Sequence, residues 1–531
     1  MGRDCLFVSM ISSRNENNIN IVAENIMLSD YADILLNCKS IEIDPDQIEK
    51  VRKSYQFLKE FVNNKLIYGI NTGLGPMAQY KISKQDQLTL QYNLIRSHCS
   101  GTGNIMSPLL VKSAMICRLI NILKAYSGVH PEVVILLKEF INRDIIPVVF
   151  EHGSVGASGD LVQLSHIALT LIGEGEVHYQ GTIVPTQEAL TKEGLKPVSV
   201  YIREGLALIN GTAVMTGIGI VNIINAKNLL NWAIVASAMI NEIVDSYDDS
   251  FSDELNSKKR HRGQTVVANL MRKALKGSKL IKKREEFLYK KKVEETVIKD
   301  KVQEYYSLRC VPQILGPVLD TIQTAEGIIM DEANSVNDNP VIDFENANVY
   351  HGGNFHGDYV SLEMDKLKIV VTRLAMLMER QLNYILNPRL NDKFPAFVNL
   401  GTLGLNLGMQ GVQFTATSTT AECQTLSFPN YIHSIPNNND NQDIVSMGTN
   451  SAVIAGTVIT NAYEVIAIYF MALIQAIDCV DLKDKMAPFT RNIYNNLRAV
   501  VPVFTEDTTK YKEIRNMKNY LCDTKLDLSK I

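Results

Sequence analysis

The placement of proline constrains this chain most. Between Pro197 and Pro312 no proline occurs for 114 residues, and residues 361–386 carry apolar side chains at 367, 370, 371, 374, 377 and 378. That spacing is the 3.6-residue period of a long helix with one buried stripe. A proline inside a helix removes a backbone hydrogen bond and collides with the preceding turn, so a chain that withholds it can run in long helices. Only 31 glycines and 16 prolines stand among 531 residues, about 9% where about 12% is ordinary. The fold class read from this is mainly α.

Helix starts are legible as well. Asp44-Pro45-Asp46-Gln47 combines a capping side chain, proline at the first helical position and Gln at the third, and Ser83-Lys84-Gln85-Asp86 offers a similar cap. Strand signals are sparse: residues 177–179 and 182–184 about Gln180-Gly181 read as one small hairpin. Composition shifts near 210–219, where glycine-rich sequence gives way to the proline-free region. The expected division is therefore into residues 1–212 and 213–531.

Charge and apolar pattern exclude several roles. A formal charge of -4 over 531 residues gives no general attraction to nucleic acid or to anionic lipid. The basic stretch 258–292, with 14 Lys and Arg against Glu285 and Glu286, has no aromatic ladder beside it and reads as a solvated helical excursion. No N-terminal segment reads as a signal peptide, and Leu6 stands where a myristoylation signal needs Ser or Thr. The longest uninterrupted apolar run, 465–474, falls short of the about 20 residues that span a bilayer. Eight scattered cysteines without a CxxC form neither a disulfide framework nor a thiolate metal site. The expectation is a cytoplasmic protein with no metal, no membrane partner and no nucleic-acid partner.

Glycine marks the informative places. Four windows, 69–75, 153–159, 352–357 and 401–411, hold 13 of the 31 glycines, which in a helix-rich chain means tight turns or close backbone approach. The first, in Tyr68-Gly-Ile-Asn-Thr-Gly-Leu-Gly75, lacks the spacing and the Lys-Ser/Thr of a phosphate loop. The second, Gly153-Ser-Val-Gly-Ala-Ser-Gly-Asp160, fails the Gly-x-Ser-x-Gly frame of a hydrolase elbow around Ser158. Another chemistry is open to Ala157-Ser158-Gly159. If the backbone bends hard there, the Gly159 nitrogen, unhindered by a Cβ, can approach the Ala157 carbonyl carbon. Cyclisation with loss of two waters, one from Ser158, leaves an electrophilic five-membered ring with an exocyclic methylene.

That triplet, within Gly-Ser-Val-Gly-Ala-Ser-Gly-Asp-Leu, resembles the signature of the aromatic amino acid ammonia-lyase family, which builds its methylidene-imidazolone group (MIO) by this cyclisation. Six further segments resemble the family in order: the Tyr68 loop, Gly205-Leu-Ala-Leu-Ile-Asn210-Gly-Thr, Tyr305-Tyr306-Ser-Leu-Arg309-Cys310, Asp338-Asn-Pro, Gly353-Asn-Phe355-His-Gly357, and Asn441-Gln442-Asp443. The resemblance covers about residues 40–510. One departure is Leu161-Val162-Gln163, where many members have Leu-Ala-Pro.

The resemblance implies an almost all-helical bundle with a smaller N-terminal domain bearing the MIO. It implies a homotetramer whose active sites combine three subunits, and no external cofactor. Eliminating ammonia from an α-amino acid is hard because amine leaves poorly and the β-proton is barely acidic. An electrophilic methylene that captures the amine answers the first obstacle, and a base at the β-carbon the second. By resemblance Tyr68 is that base, and Arg309 pairs with the substrate carboxylate, which suits its fork of donors. Asn210, Tyr306, Asn438 and Gln442 would hold the ring, developing charge or substrate through hydrogen bonds, with Phe355 packing against them.

His98, in Gln91-Tyr-Asn-Leu-Ile-Arg-Ser-His-Cys, stands where plant phenylalanine enzymes carry an apolar residue, so a polar ring substituent is expected on the small-molecule aromatic amino acid. Glu422 matches an acidic position found in several branches. The stretches 68–80, 90–103 and 408–441 look most like the bacterial tyrosine-specific branch. The expected reaction is elimination of ammonia from L-tyrosine to p-coumarate. Histidine ammonia-lyase is the alternative, with a tyrosine 2,3-aminomutase third.

Overall fold

The computed structural model describes residues 18–21, 25–290, 296–298 and 301–531. These form two compact units that interleave along the chain. The first comprises the described residues within 1–224, 325–365 and 429–455, the second those within 225–324, 366–428 and 456–531. The expected division at 212/213 lies next to the start of a helix, Ala213–Ile243.

The elements that position the site are, in order, α1 (Pro45–Phe61), α2 (Gln87–His98), α3 (Pro108–Leu123), α4 (Leu161–Leu171), α5 (Glu204–Ile209), α6 (Ala213–Ile243), α7 (Val311–Ala333), α8 (Asp358–Leu386), α9 (Gln410–Leu426) and α10 (Gly448–Val480). Helix dominates, as the proline pattern requires. The α1 start is as read from sequence, with Asp44 Oδ1 accepting from Asp46 N at 2.8 Å and Pro45 in the first turn. The α2 start is not. Ser83 Oγ donates to the Asp86 carboxylate at 2.6 Å and accepts from Asp86 N at 3.3 Å. This reciprocal bond closes a separate turn, and the helix begins only at Gln87.

The expected hairpin is present as Glu176–Tyr179 paired antiparallel with Thr182–Pro185, and Ile146–Pro147 adds a third strand to it. Short two-stranded pairs, such as Val341–Asp343 with Asn348–Tyr350, escape sequence reading because three residues show no period.

In the first unit α3 packs so closely on the start of α6 that a methyl on Gly217 would lie 2.4 Å from Ala114 N. Ser113 Oγ seals the contact by donating to Gly217 O at 2.8 Å. Leu58, Ile67, Ile70 and Ile342 form a buried cluster under the Tyr68 loop, and each such side chain contributes about 1.5–3 kcal/mol through burial. In the second unit the apolar stripe of α8 is buried at Leu367, Val371, Leu374 and Met378. There Ser237 and Gln381 exchange hydrogen bonds at 3.1–3.2 Å, Asn228 donates to Tyr463 at 3.0 Å, and Trp232 meets Phe470 edge-on at 5.6 Å. The helices α6 and α10 are long and apolar enough to cross a bilayer by length and composition. Their most apolar windows are 83% and 78% buried within the chain, as core helices are. The basic stretch carries a helix, Arg262–Ala274, that buries Val267, Ala268 and Met271 and exposes most of its cations.

A buried ion pair stands at the start of α5. Arg203 and Asp338, both 0% exposed, meet at 2.9 and 3.1 Å, and Arg203 also donates to the carbonyls of Ser127 and Asn339. Removing one partner strands the other's charge. Asp338→Asn is expected to cost about 3–5 kcal/mol of stability, measured by chemical denaturation; an unchanged midpoint would refute this role.

Candidate active site

Ala157-Ser158-Gly159 lies on a bent segment between strand and helix, in the first unit. Gly159 has φ +71°, and its backbone forms a parallel bridge with Gly211. A Cβ on Gly159 would lie 2.0 Å from Gly211 O, so no other residue fits. Asp160 N donates to that same carbonyl at 2.8 Å. Asn210, at the end of α5, donates to Ser158 O at 3.1 Å, and Gln442 donates to Ser158 Oγ at 3.0 Å. The hydroxyl and carbonyl of the central residue are thus each held by a side-chain amide.

Asp160 anchors this bend. Fully buried, its carboxylate accepts from Val214 N and Met215 N at 2.9 Å, from Ser154 Oγ at 2.8 Å and from the Thr449 hydroxyl. Burial pushes the carboxyl upward, and the bonds from Thr449, Met215, Ser154 and Val214 pull it back. The amides at the first turn of α6 suit a carboxylate. The departure at Leu161-Val162-Gln163 leaves α4 starting directly after Asp160. Gln163 is buried and donates to Phe150 O and Glu151 O, both at 3.3 Å.

Two loops approach from other parts of the unit. Tyr68 is half-buried, and its hydroxyl accepts from Gly75 N at 3.0 Å. Asn438 lies against that turn, its Nδ2 2.9 Å from where a Gly75 methyl would be. Asn438, Asn439 and Asp440 take φ of +54°, +52° and +58°. Asn and Asp tolerate this left-handed region better than other residues with a Cβ. The turn they make is closed by paired backbone bonds between Asn437 and Gln442 at 3.1 and 3.3 Å. One Asn-rich turn thereby carries Asn438 to the Tyr68 loop and Gln442 to Ser158. Phe355 is half-buried on a segment tied to the triplet loop by Gly357 N donating to Gly156 O at 3.0 Å.

With this geometry in view, the comparisons are decisive about kinship. A family model described as aromatic amino acid lyase matches residues 26–499. The chain belongs to that family. It is 38% identical over 508 residues to a tyrosine 2,3-aminomutase from Chondromyces crocatus, covering 94% of this chain and 96% of the relative. It is 36% identical over 502 residues to a histidine ammonia-lyase from Geobacillus sp. strain WCH70, covering 94% and 96%. The crystal structure of tyrosine aminomutase from Streptomyces globisporus superposes with a TM-score of 0.91 at 33% identity, covering 95% and 97%. The family fold expected from the motifs is therefore the fold present.

These relatives correct the expected reaction. The proteins resembled at 38–39% identity over nearly the whole chain are tyrosine 2,3-aminomutases, so elimination from L-tyrosine to p-coumarate as the chain's activity is set aside. The motifs misled because they mark a family to which relatives named for either reaction are similar.

Of the remaining expected residues, His98 ends α2, half-buried, with Nδ1 2.9 Å from Leu94 O. Tyr306, Arg309 and Glu422 belong to the second unit. There the Arg309 guanidinium stacks 4.6 Å from the Tyr306 ring centre and donates to Gln303 at 2.7 Å, while its buried Nε has no hydrogen-bond partner among the described residues. Glu422 is exposed and accepts from Asn461 at 2.9 Å. Two residues to which the motifs assign no role are structural centres of the first unit: Asp160 and Gln91. Asp160 was legible as the acidic residue opening an apolar helix; Gln91 carries no local signal, because its partners are remote in sequence.

His166, on α4, accepts from Gly101 N at 3.2 Å and meets Phe150 edge-on. Burial holds its imidazole below the ordinary value of 6.5. The unfolded chain therefore takes up a proton first on acidification, and stability is lost as pH falls from about 6.5 toward the lower folded value. His166→Gln keeps an acceptor for Gly101 and does not titrate. Between about pH 7.5 and about pH 5.5 the wild type should lose up to about 1 kcal/mol more than this variant, read from urea midpoints; parallel losses would contradict the assignment.

Proposed function

We propose that the chain is a tyrosine 2,3-aminomutase, moving the amino group of L-tyrosine from the α- to the β-carbon. The single observation that carries this reading is the near-full-length identity of 38% to a protein of that name, and the surroundings of Ser158 accord with it. In this reading Ala157-Ser158-Gly159 cyclise to the MIO. Their cradle fits the group: the bend holds a Cβ-free nitrogen donor at Gly159, and Asn210 and Gln442 stand on the carbonyl and hydroxyl of Ser158. The group supplies an electrophilic methylene for the substrate amine, which ordinary side chains lack.

The chain's own residues do the rest. Tyr68 takes the proton from the β-carbon and later returns one to the α-carbon, with Gly75 N donating to its oxygen throughout. Arg309 binds the substrate carboxylate through two parallel donors. His98 meets the phenol hydroxyl, Phe355 packs on the aromatic ring, and Asn210, Tyr306, Asn438, Gln442 and Glu422 orient the polar groups. The enoate and ammonia stay enclosed until nitrogen returns to the β-carbon, so closure of the Tyr68 loop decides the outcome. We place the enzyme in the cytoplasm, where its seven described cysteines, none of them in a disulfide, would be at home. The working form is a homotetramer that completes each site with Tyr306 and Arg309 of other subunits; Tyr306 is 71% exposed in the single chain.

Three measurements test this. Intact mass should fall short of the sequence mass by two waters, and a full mass would exclude the ring. Incubation with L-tyrosine should give β-tyrosine by chromatography and mass spectrometry. Urocanate from L-histidine with no β-tyrosine would instead make the chain a histidine ammonia-lyase. Tyr68→Phe keeps the ring and should lower kcat by about a hundredfold to ten-thousandfold; a drop below tenfold would remove Tyr68 from the role of base.

A further inference from the structure

Gln91 is 0% exposed and sits in the middle of α2, with no part in the chemistry described above. Its side-chain amide spans two elements. Nε2 donates to Gly69 O at 3.0 Å, one residue beyond Tyr68, and Oε1 accepts from Leu206 N at 3.2 Å. Leu206 N is the third amide of α5, one of those at a helix start that have no partner within the helix. Arg203, which precedes α5, supplies no capping side chain. Gln91 therefore caps α5 from a distance while holding the Tyr68 loop.

The packing leaves this amide little freedom. A methyl on Gly205 would lie 2.5 Å from Gln91 O, so α2 and α5 meet at backbone distance. Gly69, with φ +74°, lies so close to Leu206 that a Cβ there would meet its methyl at 2.3 Å. From Leu206 the helix continues four residues to Asn210, whose amide holds Ser158 O. Tyr68 and Ser158 are thus joined through one buried amide and one short helix.

We infer that Gln91 is the positioning residue that sets the Tyr68 loop against the helix bearing Asn210, so that loop closure and the triplet share one frame. Its effect on turnover rests on the reading of Tyr68 as the base; its effect on the loop does not. A buried amide that loses both partners leaves a carbonyl and an amide unsatisfied, and the loop with fewer buried contacts opens more often.

The test uses the full-length protein. In Gln91→Met, which keeps length and burial, hydrogen exchange of residues 68–80 should rise about tenfold while that of 108–123 stays as in the wild type. With L-tyrosine, kcat should fall about tenfold and a larger share of turnovers should end in released enoate. Gln91→Glu keeps an acceptor for Leu206 N and sets a second oxygen against Gly69 O. It should open 68–80 while 204–209 stays protected. Unchanged exchange at 68–80 in both folded variants overturns the inference. So does failure of both to fold, which would make Gln91 a residue of the core at large. If the loop opens in the variants but wild type does not turn over tyrosine, the positioning role stands and the proposed substrate falls.

Discussion

A backbone contact between two glycines carries the site. Gly159 and Gly211 lie side by side in a single parallel bridge, with 2.0 Å between the Gly211 oxygen and the place where a Gly159 Cβ would be. Only the absence of a Cβ on Gly159 permits it, while a Cβ on Gly211 would run into Asn337 and Arg118 on its other side. The bridge brings the residue before each glycine together as well, and this is why Asn210 reaches Ser158. Asp160 then closes the arrangement from the other side. Its carboxylate gathers amides from the start of α6 and hydroxyls from Ser154 and Thr449, so three separate chain segments are bound to one residue next to the triplet.

The same logic extends outward through side-chain amides. Gln442, Asn210 and Gln91 each join segments far apart in sequence, and each does so with a neutral group. Buried neutral amides cost less to desolvate than charges and have both donor and acceptor, so they can bridge two backbones without a counter-ion. The one charged pair in this frame, Arg203 with Asp338, is fully buried and stands where α5 begins. Rigidity of this kind accords with chemistry that relies on fixed placement of a base relative to the reacting carbon.

Much of the fold is legible in the sequence. The proline-free run and the apolar stripe of α8 anticipated long helices, and the glycine windows marked the triplet, the Tyr68 loop and the Phe355 segment. Other features were out of reach for stated reasons. Ser83 looks like a helix cap but closes a turn with Asp86, because Asp86 engages its hydroxyl both as donor, through the carboxylate, and as acceptor, through the backbone amide. The left-handed run at Asn438, Asn439 and Asp440 reads in sequence only as an Asn-rich loop; the paired bonds of Asn437 and Gln442 are what give it a shape that serves two sites. The expected elimination from L-tyrosine was overturned by the relatives, since the motifs that carried it mark the family and not the reaction.

The sequence by itself determined the helical class, the family, and the residue types available for chemistry, because periodicity and motif order are local properties of the chain. Tertiary structure decided which of those residues meet. Ser158 acquires Asn210 and Gln442 as partners across 52 and 284 residues, and Tyr68 is fixed through Gln91, a residue no motif distinguished. Hydrogen bonds between remote backbones follow from packing, and packing is set by the whole core at once.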